Sequence, residues 1–92
     1  MSYTITNYTR NKASQLGVIV KPSTRKGKKI DVFKDGKKIA SIGALGYGDY
    51  PTFIKTKGKE YADKRRKAYR NRHAKNISIT GSNGFYAGNL LW

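Results

Sequence analysis

The chain has 92 residues, of which 37% are hydrophobic, enough for one domain with a thin core and too few for a second domain. Twenty lysines and arginines stand against five aspartates and glutamates, so the formal net charge is +15, and we expect a partner that supplies phosphates or carboxylates. The absence of cysteine excludes disulfides, thiolate catalysis and cysteine-rich zinc sites.

The first segment, residues 1–15, is predicted to be an arm or a short strand. Tyr3 and Ile5 alternate with Thr4 and Thr6, which is a weak strand pattern. The segment lacks a basic start followed by an apolar stretch, and the chain has no apolar run near ~18 residues. We therefore expect neither an export signal nor a membrane-spanning segment.

A β-rich part is predicted for residues 16–54. Leu16, Val18 and Val20 share one face of an extended segment, which predicts a strand. Residues 22–27 combine turn formers with two bases and predict a basic loop.

A β-hairpin follows, because residues 28–34 resume the alternation and lead into Asp35-Gly36. This dipeptide supplies the positive φ angles of a two-residue type I′ turn. Such a turn pairs Val32 with Ile39, Phe33 with Lys38, and Lys34 with Lys37. The two facing lysines at the tip favour an acidic partner there, with a plain solvated turn as an equal alternative.

The glycines at positions 43, 46 and 48 predict an ordered loop with aromatic anchors. A glycine-rich loop can cradle a phosphate when a helix begins immediately behind it. Pro51 and the β-forming residues around it argue against a helix at this point, so we do not expect a cradle.

A basic helix is predicted within residues 55–75, running from about 59 to 74. Glu60 and Asp63 lie in its first turns and bases lie toward its end, which suits the helix dipole. At ~100° per residue, an inward stripe contains Tyr61, Ala62, Ala68 and Tyr69. The outward face, predicted to be the main basic surface, carries Lys64, Arg66, Lys67 and Arg70.

Two arginines of this helix, Arg65 and Arg72, fall inside the inward stripe. We expect their stems to pack on the sheet. Their guanidinium groups would then stack on tyrosine or meet Asp49, a backbone carbonyl or the terminal carboxylate. Both are therefore predicted to have a structural rather than a ligand-binding role.

The last segment, residues 76–92, carries no charged side chain. Its apolar residues are separated by glycines, which predicts an irregular aromatic tail. The tail would pack on the sheet or dock into a neighbouring protein. The residues expected to make that contact are Phe85, Tyr86, Leu90, Leu91 and Trp92.

The chain is poor in residues for catalysis. His73 is the only histidine, and the five carboxylates would have to converge in space to hold a metal. A nuclease would be the most plausible enzyme for so basic a chain, but we expect no enzyme, no metal, no cofactor and no small-molecule substrate.

Several motifs in order resemble a family of short, basic, uncharacterised proteins encoded by large double-stranded DNA viruses. The resemblance spans residues 28–92, and Pro51 departs from the family pattern. It implies a viral setting and supplies no catalytic residues. Its motifs are Ile42-Gly43, Gly46-Tyr47-Gly48-Asp49-Tyr50, Arg65-Arg66 with Tyr69, Arg72-His73, and Gly84-Phe85 with Leu90-Leu91-Trp92.

Two functions are consistent with these patterns. One is a minor capsid or adaptor protein of a virus particle, present in the host cell interior before assembly, which bridges acidic surfaces of capsid proteins. The other is a protein that coats or condenses the viral genome through non-specific phosphate contacts. In both, the residues predicted to bind the polyanion are Arg25, Lys26, Lys28, Lys34, Lys37, Lys64, Arg66, Lys67 and Arg70.

The predicted fold class is α+β, a small antiparallel sheet formed by the hairpin and the preceding strand and packed against one helix of the C-terminal half. The order of the strands is left open. The expected core consists of Leu16, Val18, Val20, Ile30, Val32, Ile39, Ile42, Tyr50, Phe53, Tyr69, Leu91 and Trp92.

Overall fold

The computed structural model describes residues 3–92, which contain five helices and one three-stranded sheet. Both neighbouring pairs of strands are antiparallel, in the order β1-β2-β3. The predicted α+β class is confirmed. In chain order the elements are α1 (Asn7–Leu16), β1 (Ile19–Pro22), β2 (Lys28–Lys34), β3 (Lys37–Ala44), α2 (Tyr50–Lys57), α3 (Lys59–Arg72), α4 (Ala74–Ile77) and α5 (Asn83–Leu90).

The hairpin between β2 and β3 forms as predicted. Asp35 and Gly36 have φ values of 52° and 79°, as a type I′ turn requires. Phe33 lies opposite Lys38 and Lys34 opposite Lys37, so the predicted register is correct at the tip.

Below the tip the register changes. An irregularity between Val32 and Phe33 places Val32 opposite Ala40, so the predicted Val32–Ile39 pair is wrong. Ala40 is buried as a result, whereas Ile39 is 39% exposed and does not belong to the core. A one-residue shift exchanges the two faces of a strand, which is why a single bulge reverses this assignment.

The first described segment is helical, so the arm or strand predicted for residues 1–15 is wrong where α1 forms. Residues 1 and 2 lie outside the described part of the chain. The Thr6 hydroxyl accepts a hydrogen bond from the Thr9 N–H and caps α1, and Gly17 ends it with a φ of 72°. Only Thr9 and Ala13 of α1 are buried, so its helical periodicity is faint in the sequence.

Helix α2 corrects the prediction that Pro51 prevents a helix. Asp49 caps the helix by accepting the Thr52 N–H at 3.0 Å. Pro51 lies in the first turn, where its missing N–H leaves no hydrogen bond unmade. A helix does begin behind the glycines, but the Asp49 carboxylate occupies its N-terminus, so this loop is not a phosphate cradle.

Helix α3 forms where the sequence predicts a helix, but the sheet is not its main packing partner. It packs mainly against α2, whereas α5 lies against β3 and α1 lies against β1. The sheet is therefore covered by helices from opposite ends of the described chain.

The predicted irregular tail is largely helical. Ser82 caps α5 by accepting the Phe85 N–H, and Leu90, Leu91 and Trp92 follow into the core. Hydrogen bonds fix this end, since Thr9 donates to the Leu90 carbonyl at 2.8 Å and the Tyr50 N–H donates to the Leu91 carbonyl at 2.9 Å.

The proposed docking residues are thus mostly core residues of the chain itself. Tyr86, Leu90, Leu91 and Trp92 are buried, and Phe85 is partly buried against them. Residues 85–92 are buried or partly buried, which accounts for their lack of charge, whereas residues 76, 78–81 and 83 of the same segment are exposed. Other predicted core residues are confirmed as buried: Val18, Val20, Ile30, Val32, Ile42 and Tyr50. Those packed at the margin are Leu16, Phe53 and Tyr69.

Within residues 3–92, none of the helices combines the length and the apolar composition needed to cross a membrane.

The Asp31 side chain lies on one face of the sheet, and its neighbours Ile30 and Val32 lie on the other face. Its carboxylate accepts hydrogen bonds from the hydroxyls of Ser23 at 2.6 Å and Ser41 at 2.7 Å. Burial raises the pKa of Asp31, but these bonds, the Thr24 N–H and the Lys38 charge outweigh burial and lower it to about 2.

We expect Asp31 to make the fold sensitive to acid. Because its pKa falls from 3.8 to about 2 on folding, its stabilising contribution is present above 3.8 and is lost as the pH falls through about 2. Denaturant unfolding at several pH values should show a shallower acid limb for Asp31→Asn than for the parent chain. Glu60→Gln, at an exposed position, controls for net charge. Equal acid limbs in Asp31→Asn and the parent would contradict the assignment.

Candidate nucleic-acid interface

The basic side chains are largely unneutralised within the fold. Of the twenty lysines and arginines, only Lys29, Lys38 and Lys59 form ion pairs with carboxylates among residues 3–92. Asp63 is already engaged, since it accepts hydrogen bonds from Lys59 at 2.8 Å and from the Tyr50 hydroxyl at 2.7 Å. The net charge is therefore displayed at the surface.

One ion pair is buried and structural. The Lys29 ammonium lies 2.8 Å from the Asp49 carboxylate, which also accepts the Tyr3 hydroxyl at 2.7 Å. Burial raises the pKa of Asp49, but the hydrogen bonds from Lys29, Thr52 and Tyr3 outweigh it and lower that pKa. Burial, and then Asp49, raise the pKa of Tyr3. Sequence reasoning missed Lys29, because one lysine among many carries no local sign of burial.

The structure gives the arginines of α3 surroundings that differ from those predicted. Arg66 lies over the Tyr50 ring at 4.7 Å, and Arg70 donates to the Gly88 carbonyl at 2.9 Å, so two residues predicted to face outward make internal contacts. Arg65 and Arg72 are exposed, and Asp49 pairs with Lys29 instead of either.

Ala62 is the residue from which the inward direction of Arg66 could have been predicted. It is the one fully buried residue of α3, and Arg66 lies one turn after it. The predicted inward stripe contained Ala62 but also Tyr61 and Ala68, which are exposed, so its centre lay too far from Arg66 and Arg70.

A first basic group, which we call the α1–α3 cluster, consists of Lys12, Arg66 and Arg70. Burial lowers the pKa of Lys12, and the neighbouring charges of Arg70 and Arg66 lower it further. The Lys12 ammonium lies over the Tyr8 ring at 5.2 Å. Arg70 Nε is buried and has no hydrogen-bond partner in the described part of the chain. Three like charges held together oppose folding and favour an anion between them.

The outer side of α3 carries two further cations. Lys64 and Lys67 are exposed, and we call this pair the α3 crest. Lys67 also borders a shallow depression with Asp63, Arg66 and Arg70. The crest therefore extends the α1–α3 cluster along the helix.

A third side of α3 borders a cavity of about 320 Å³. Arg65 and Arg72 line it from α3, and Lys28 lines it from the start of β2. Tyr69 and Trp92 also line it, with their rings stacked 4.4 Å apart and 9° from parallel. No Asp or Glu belongs to the described lining, so this side of the helix is positive as well.

The remaining predicted cations lie elsewhere on the surface. Arg25 and Lys26 are exposed in the loop before β2, and Lys34 and Lys37 are exposed at the hairpin tip. Because strands rise about 3.3 Å per residue, the length of β2 puts the tip roughly 20 Å from Lys28. The structure thus brings together the cations of α3, Lys12 and Lys28, and leaves the tip apart.

Comparison with protein-family models, curated proteins and solved structures finds no match. Function therefore has to be inferred from the geometry and charge of the chain itself.

Proposed function

We propose that the chain binds nucleic acid without sequence preference, by contacting phosphates through the α3 crest and the α1–α3 cluster. The observation that carries this proposal is the grouping of Lys12, Arg66 and Arg70 around the packed rings of Tyr8 and Tyr50. None of the three cations forms an ion pair with a carboxylate within residues 3–92. Such a group opposes folding in the free protein and is stabilised when a polyanion lies against it.

The contacts that this surface offers are contacts to the backbone of a nucleic acid. Lysine ammoniums act as point charges toward phosphate, and phosphate contacts fix position without reading bases. Lys64 and Lys67 are exposed on one helix and can follow a line of phosphates. Binding should therefore be strongly dependent on salt and weakly dependent on sequence.

The minor capsid or adaptor function is the second candidate. Burial of Leu90, Leu91 and Trp92 removes the aromatic anchor on which tail docking depended. What supports an adaptor is the same basic surface, which would also fit acidic patches of a capsid protein. The virion setting follows from the family resemblance and stays a prediction.

Measurement of duplex DNA affinity against salt concentration tests the proposal. Lys64→Gln/Lys67→Gln should reduce the slope of log affinity against log salt by up to about 2, because each lost phosphate contact accounts for about 0.9. Both side chains are exposed, so the variant should fold like the parent.

The matched control is Lys34→Gln/Lys37→Gln, which removes the same charge from the hairpin tip. Its slope should stay close to that of the parent. An equal decrease in both variants would mean that overall charge, rather than α3, attracts the DNA. No binding to duplex or single strand at low salt would overturn the proposed function and favour an acidic protein as partner.

A further inference from the structure

The cavity beside α3 has the size and the lining of a binding site for a small anionic group. Its volume of about 320 Å³ lies at the lower end of the range for ligand pockets, about 300–1,000 Å³. A ligand that fills it has the size of one nucleotide rather than of a larger cofactor. The walls come from the sheet, α3 and the C-terminal segment, so the cavity exists only in the folded chain.

Four basic residues line the cavity, and no Asp or Glu is among its described lining residues. One of the four, Lys29, is already paired with Asp49, which leaves Arg65, Arg72 and Lys28. Neither Arg65 nor Arg72 forms a side-chain hydrogen bond or ion pair within residues 3–92, and Arg65 only lies over the Phe53 ring at 5.5 Å. Both guanidinium groups keep their donors free for a phosphate, which arginine binds with paired hydrogen bonds. Lys28 adds a third charge from the opposite wall.

Aromatic rings supply the other half of the site. Tyr47 lines the cavity and is 75% exposed, more than any other large hydrophobic residue in the described chain. A Cβ atom on Gly48 would lie 2.2 Å from the Phe53 ring, so the loop next to Tyr47 packs closely against α2. An exposed ring beside free arginines can stack on a base, a contact that accepts any base.

We infer that this cavity binds one nucleotide of a single-stranded nucleic acid, with its phosphate between Arg65, Arg72 and Lys28 and its base against Tyr47. The inference rests on the proposed function, because the α3 crest would hold the neighbouring phosphates of the same strand. It adds a preference that phosphate contacts alone do not give. A duplex keeps its bases paired and stacked, whereas a single strand can turn one base into the cavity.

The single tryptophan of the chain, Trp92, lines this cavity and provides the test. Titration with a single-stranded oligonucleotide should change Trp92 fluorescence, whereas a duplex of the same length should bind, by anisotropy of a labelled strand, without that change. Tyr47→Ala and Arg72→Gln should each weaken single-strand binding roughly tenfold and leave duplex binding almost unchanged. Both positions are exposed, so folding should be preserved.

Lys64→Gln/Lys67→Gln separates the two proposals. It should weaken duplex and single strand alike and keep the fluorescence change at saturation. Duplex binding with equal fluorescence changes for both nucleic acids, or unchanged single-strand affinity in Tyr47→Ala, would overturn the cavity assignment and leave the proposed function standing. A phosphotyrosine peptide that binds as tightly as the oligonucleotide would also overturn it, in favour of a protein ligand.

Discussion

Asp49→Asn should lower the free energy of unfolding by about 3–5 kcal/mol, because it leaves the buried Lys29 ammonium without its counter-ion. Asparagine keeps an oxygen for the Thr52 N–H, so the cap of α2 is retained, while the charge and the oxygen that accepts from Lys29 and Tyr3 are lost. Denaturant unfolding followed by circular dichroism measures the change.

Two further variants make this test specific. Adding Lys29→Met to Asp49→Asn removes the stranded charge and should restore much of the lost stability. Asp63→Asn breaks the exposed Lys59–Asp63 pair and should change stability little. If Asp49→Asn were as mild as Asp63→Asn, the buried pair would not stabilise the fold as proposed.

Leu90→Ala should lower the free energy of unfolding by about 2–5 kcal/mol, because Leu90 is fully buried and its loss opens a cavity. For a chain of this size that is a large part of the total stability. Deleting residues 90–92 should therefore abolish cooperative unfolding, which thermal or denaturant melts would show. Ile79→Ala, at a position 52% exposed, is the matched control and should have an effect within about 0.5 kcal/mol.

Because Leu90 belongs to the core, deletion of residues 90–92 tests folding before it tests docking. A chain without residues 90–92 that fails to join a particle or to bind DNA has lost its fold, so the failure says nothing of docking. A truncated chain that still unfolds cooperatively would contradict the burial of these residues and would make tail docking a sound proposal again.

Some of the fold was predictable because it depends on residues close together in the chain. The Asp35-Gly36 turn needs only two residues that accept positive φ, and it fixes the pairs at the tip. Helix α3 follows from acids at its start, bases at its end and the absence of breakers between them. The bulge that separates Val32 from Ile39 had no such local cause and was missed.

The sequence contains the capping residues of helices α1 and α2, but other features of the same segments argued against a helix. Thr6 and Gly17 flank α1 as its caps, but few apolar residues mark its buried side. Asp49 and Pro51 are typical of a helix start, but the β-forming residues around Pro51 favour its other role as a helix breaker. In both cases the capping residues carried the information, and the apolar periodicity that we relied on did not.

The candidate site was predictable in kind but not in arrangement. Composition places many cations on α3, whereas the contacts of Arg66 with Tyr50 and of Arg70 with Gly88 depend on segments far away in sequence. The cavity likewise needs Lys28, Arg65 and Trp92 to meet, and no local pattern predicts that.

By itself the sequence determined the surplus of positive charge, because five carboxylates cannot neutralise twenty bases in any fold. It also determined the hairpin, which is a local structure. Only the tertiary structure decided that the end of the uncharged C-terminal segment, residues 85–92, lies in the interior and that Arg65 and Arg72 form no ion pair within residues 3–92. Burial is set by contacts such as that between Thr9 and Leu90, which join the two ends of the described chain.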